Sequence, residues 1–167
     1  MIDPASEFSI EPGLVETLVP ELKLTDKMFR DGRLDNVVER LLSLSQKWPS
    51  HPTIRYRLIT AYHGTYNPDL VREHVLSLRA DEVLTDKASA ILSQCLFHSL
   101  AELGDLDAAV CEAQEYFLRN PTETSSYRDA AEELCELRKK WSDEAIVAKI
   151  VFTRARSFVE MFEGDDS

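Results

Sequence analysis

Four histidines, three cysteines and the acid pairs Glu132-Glu133 and Asp143-Glu144 are the residues of this chain weighed first for catalysis or metal binding. His51, His63, His74 and His98 could serve as general bases or metal ligands, and Cys95, Cys111 and Cys135 as nucleophiles, ligands or disulfide partners. Their spacing supports neither use. No histidine has a second histidine at a metal-ligand interval on its own segment, and there is no CxxC pair. His51 lies in a Pro-bounded loop and His74 on an otherwise exposed face, which favours solvated structural roles. The cysteines read as small core residues of helices. Glu132-Glu133 and Asp143-Glu144 belong to solvated faces, because a general-acid and general-base pair needs burial to separate its pKa values. The GxxxxGK[ST], GxSxG, HExxH and Gly-rich dinucleotide motifs are all missing. The expectation is a non-enzyme that uses no cofactor and no metal.

The elements that carry these residues follow from composition and periodicity. The chain has 167 residues, 44% apolar and 29% charged, enough for one domain with a sizeable core. Five glycines are too few for a fold of many tight hairpins. No apolar run approaches the roughly 18 residues of a membrane-spanning helix. The net charge of −11 opposes binding to nucleic acid or insertion at an anionic membrane, and favours a basic or amphipathic protein partner. Residues 1–13 lack the flank and core of a signal peptide. Their Pro-Ala-Ser-Glu-Phe portion looks like a cloning scar, and this segment is expected to be disordered. An ordered domain is expected over 14–162 and an acidic disordered tail over 163–167, in an intracellular, most simply cytoplasmic, protein.

One pattern recurs along the ordered part. Gly104-Asp-Leu-Asp-Ala-Ala-Val reads as a turn entering a helix that stops at Asn120-Pro121, and Gly32-Arg-Leu-Asp-Asn-Val-Val repeats it up to Pro49. The two copies are offset by 72 positions, so a period of 36 predicts a third copy between them. It is found at Tyr66-Asn-Pro-Asp-Leu, which aligns Leu34 with Leu70 and Leu106, and Val38 with His74 and Val110. A fourth copy starts at Trp141, with Ala145 equivalent to Ala109. Each copy follows another helical segment: one within Leu14 to Arg30 with Pro20 suited to its first turn, one after His51-Pro52, one from Ala88 to Leu103 and one from Ser126. Asn67-Pro68 and Asp86 read as helix starts. The fold class is therefore all-α, about eight helices in four antiparallel hairpins, and such a period means a solenoid.

The best copy resembles the tetratricopeptide repeat, with Leu96, Gly104, Asp105, Leu106, Ala109 and Pro121 in the family's places. The family's usual period is 34, and its first-helix aromatic is mostly missing here. The resemblance implies a right-handed superhelix whose first helices line a concave groove that receives a peptide or helix of a partner. Carried onto this chain, it puts Arg55, Leu58, Ile59, Tyr62, Ile91, Gln94, Cys95 and His98 in the groove, Tyr62 and His98 being equivalent, with Tyr127 one repeat beyond Ile91. Ile91 and Cys95 read first as packing residues. Arg55, Tyr62, Gln94, His98 and Tyr127 are the partner-binding candidates, because aromatic and arginine side chains anchor interfaces. A carboxylate clamp of the chaperone-binding kind is not expected: its places hold Leu22, Asp26, Ile59, Ile91 and Cys95, with no cation and one like charge. The last helix is apolar around much of its circumference, and Phe158, Val159, Met161 and Phe162 form a candidate assembly surface for homodimerisation or permanent docking.

Overall fold

The computed structural model describes the backbone of residues 8–163 and the side chains of residues 8–153. Eight α-helices follow one another, with no strand among the described residues: α1 (Pro12–Arg30), α2 (Leu34–Lys47), α3 (Pro52–Gly64), α4 (Pro68–Asp81), α5 (Asp86–Glu102), α6 (Leu106–Arg119), α7 (Ser126–Arg138) and α8 (Asp143–Glu163). No helix among the described residues is long and apolar enough to cross a membrane. The chain divides into two compact units, residues 1–96 and 97–167, with the boundary inside α5.

In the first unit α1 packs on α2, α2 on α3, and α3 on α4. The sequence of α3 explains its central place. Ile54, Tyr56, Leu58, Ile59, Ala61 and Tyr62 point in several directions and all are buried, so this helix needs neighbours on more than one side. By contrast α2 buries one stripe, Val37, Leu41 and Leu44, and α4 buries Val71, Val75 and Leu78. In the second unit α6 packs on α7 and α7 on α8. There α6 buries Leu106, Ala109, Ala113 and Tyr116.

The turns set the true register. Gly32, Tyr66 and Gly104 all take a left-handed backbone, with φ of 72°, 59° and 84°. The next residue in each case donates its N–H back into the preceding helix: Arg33 to Met28, Asn67 to Tyr62 and Asp105 to Leu100, at 3.0, 3.0 and 2.9 Å. This closure satisfies carbonyls that the helix end leaves open. Tyr66 thus occupies the place of the glycine, and the turns lie 34 and then 38 residues apart rather than 36. The residues that bond back to the carbonyls of Arg33, Asn67, Asp105 and Ser142 mark the start of each second helix: Val37, Val71, Ala109 and Ile146. Ile146, fully buried, therefore stands where Ala145 was expected, and Ala145 is exposed. The extra length is confined to α5, with 17 residues against 13 in α3, a difference of about one helical turn.

Gly32 and Gly104 need their glycine for the backbone alone. A Cβ on Gly32 would meet nothing, and one on Gly104 would make only an ordinary 3.8 Å contact with Val147. Gly32→Ala and Gly104→Ala are each expected to lower stability by about 1 kcal/mol, measured as a shifted urea midpoint with unchanged slope.

Several expectations are corrected at the N-terminal end. Phe8 is buried and stacks edge-on against Tyr56 at 5.9 Å, and α1 starts at Pro12, so residues 8–13 are structured. Pro12, not Pro20, takes the first-turn position; Pro20 is exposed inside the helix, where its missing N–H leaves one carbonyl to solvent. Cys111 is exposed and Cys135 half-buried, leaving Cys95 as the core cysteine. The tail beyond Glu163 lies outside the described residues.

Candidate functional site

A cleft of about 320 Å³ opens in the first unit among α1, α2 and α3, with Ile91 of α5 completing its wall. Phe29, Val37, Leu41, Tyr56 and Ile91 give it an apolar lining. Val37 and Leu41 lie on the buried stripe of α2, while Phe29, at the last turn of α1, remains 45% exposed. The most buried charges of the cleft form one ion pair. The guanidinium of Arg57, on a side chain 8% exposed, bonds to the carboxylate of Asp26, 27% exposed, and ties α3 to α1. Arg30 stands exposed at the rim, its Nε 3.4 Å from the backbone carbonyl of Asp26.

The two threonine hydroxyls of the cleft are turned to the backbone. Thr25 Oγ1 donates to the Leu22 carbonyl at 2.8 Å and Thr60 Oγ1 to the Arg57 carbonyl at 2.9 Å. Neither is aligned with a base, and the carboxylate that could act as one is engaged by Arg57. The arrangement suits the seating of an apolar side chain beside a neutralised ion pair.

The residues expected to bind a partner separate into two groups. Gln94 and His98 are half-buried and one turn apart on α5. In the 34-and-38 register they are equivalent to Tyr56 and Thr60, both of which line the cleft. The others hold the fold together. Arg55 braces α3 to α4, with Nη1 2.8 Å from an Asp81 carboxylate oxygen and Nη2 2.7 Å from Ser77 Oγ. Tyr62 is 7% exposed, its ring lies 5.4 Å from that of His74, and burial pushes its phenol pKa up. Its equivalent is Leu100, not His98. His74 is accordingly half-buried on its helix rather than solvated.

Tyr127 is 2% exposed in a cluster with Phe97, Tyr116 and Phe117, at ring distances of 5.3, 5.5 and 4.9 Å. Its own chain encloses the ring. His51 is half-buried at the start of α3, and burial lowers its pKa against the opposing pull of Glu11 and Glu82. Phe158, Val159, Met161 and Phe162 lie outside the residues whose side chains are described.

The clamp comparison overlooks Arg57, which pairs with Asp26, so that Asp26 is not an unpaired like charge. The signal available was an arginine in the middle of an apolar helix, 31 positions after an aspartate on another apolar segment. No protein-family model matches the chain, and comparisons with curated proteins and with solved structures found no similar protein.

Proposed function

We propose that the chain is a non-catalytic protein-interaction module, an adaptor or subunit of an assembly, whose hairpins stack as a tetratricopeptide-like superhelix and receive a peptide or helix of a partner. The observation that carries this reading is the apolar cleft of the first unit, lined mainly by α1, α3 and α5, the first helices of successive hairpins, with Val37 and Leu41 of α2 closing it. The step of 34 between the first two turns supports it further, since this is the usual period of the resembled family. Recognition takes place through an apolar anchor side chain placed against Phe29, Tyr56 and Ile91. Affinity capture from cells tests this with Thr60→Trp, which fills the cleft, and Phe29→Ser, which strips its rim. Partners lost from both variants and kept by Leu76→Ser, an exposed change on α4, are the expected result. Partners held equally by all three variants would remove the cleft from consideration.

A second reading, assembly through α8, has its own observation. Val151 and Phe152 are 50% and 70% exposed on that helix. Sedimentation of the full chain across concentrations, with and without Phe152→Ser, decides whether α8 drives self-association.

A further inference from the structure

We propose that the trough between α6 and α7 is a second docking surface, and that its occupant is a basic amphipathic helix of a partner protein. It lies wholly within the second unit and does not depend on the cleft described above. The trough, about 420 Å³, exists because small residues line it. Ala113 stands where α2 has Leu41 and α4 has Val75, and Ala131 faces the same space from α7. Val110, Phe117 and Cys135 form apolar walls. Gln114 and Phe117 continue into an adjoining depression edged by Leu118, which is 84% exposed. Along α6 the positions Val110, Gln114, Phe117 and Leu118 make a stripe separate from the one buried in the unit's own core. A helix laid in such a groove places anchors at matching intervals.

Charge selects the kind of helix. Glu132 and Glu136 line the trough, and Glu115 edges the adjoining depression. The one lining cation, Arg128, is already engaged. Its guanidinium lies 4.2 Å over the Phe117 ring and donates to the carbonyls of Glu123, Asn120 and Pro121. Lys139 offsets Glu136 and Arg119 offsets Glu115, both at exposed pairs that a competing cation can open. By sequence, residues 97–167 contain 16 Asp and Glu against 8 Lys and Arg. An incoming face of leucines flanked by lysines meets both the apolar walls and this field.

The test is fluorescence anisotropy of the full chain with a labelled amphipathic Leu/Lys peptide. Glu132→Lys combined with Glu136→Lys is expected to weaken binding about tenfold, and Leu118→Ser severalfold. Glu39→Lys combined with Glu73→Lys, the same change of charge at exposed sites of α2 and α4, is expected to leave affinity within about twofold. A Ser/Lys peptide of equal charge should bind at least about tenfold more weakly, because it offers no apolar anchors. Equal weakening by the control pair, or equal binding of the Ser/Lys peptide, would overturn the proposal by reducing it to net charge. Sedimentation showing a dimer dispersed by Glu132→Lys would also overturn it, by making a second copy the occupant.

Discussion

Tyr127→Ala is expected to lower the unfolding free energy by about 3–5 kcal/mol, the usual cost of truncating a fully buried aromatic residue. The ring stacks with Phe97, Tyr116 and Phe117, which draws α5, α6 and α7 together in the second unit. Alanine would leave a ring-sized void that three other rings cannot all close, since aromatic contacts depend on offset or edge geometry. Natural domains have about 5–15 kcal/mol in hand, so a loss of this size shows as a large fall in urea midpoint. Tyr127→Phe keeps the ring and is expected to cost far less. A small effect of Tyr127→Ala would mean that the residue is not a core element, and would reopen its candidacy for partner binding.

Arg57→Ala is the second large effect, expected at about 2–3 kcal/mol in the same measurement. Three losses combine. The stem of a nearly buried side chain is removed, Asp26 loses the cation that compensates its partial burial, and α3 loses its tie to α1. The figure lies below that of a fully enclosed pair because 27% of the Asp26 side chain reaches water. Replacing both partners by apolar residues, Asp26→Leu with Arg57→Met, is expected to recover most of the loss, since neither charge then needs compensation. A double-mutant cycle with no coupling between the two positions would show that the ion pair contributes nothing beyond packing.

The eight helices were legible because their punctuation is local: Pro52, Asn67-Pro68, Asp86 and Ser126 each mark a start that the structure keeps. The last helix is legible from Trp141 although the turn before it has neither glycine nor a left-handed residue among the described positions. Which side of each helix faces what was less legible, and the cause lies at Tyr66. A tyrosine in the left-handed position hides the middle turn, so the two glycine turns were bridged by equal steps of 36 where the chain takes 34 and then 38. Each helical residue advances about 100° around the axis, so an error of two residues turns a helix by about 200°, nearly to its opposite face. That slip paired Tyr62 with His98 and placed Arg55 and Tyr62 in a groove, whereas one braces α4 and the other packs on His74. Gln94 and His98 belong to the best copy itself and need no such step, and they stand at positions equivalent to Tyr56 and Thr60 of the cleft.

The additional turn in α5 shows how such a chain can change length without changing its plan. Four more residues carry a helix through about 400°, which leaves its faces within about 40° of where they began, while lengthening it by about 6 Å. Insertion in this unit size is nearly silent to packing, whereas one or two residues would rotate every contact downstream. What α3 and α5 share is therefore an angle rather than a residue count, and the two helices are compared better by phase than by distance along the sequence.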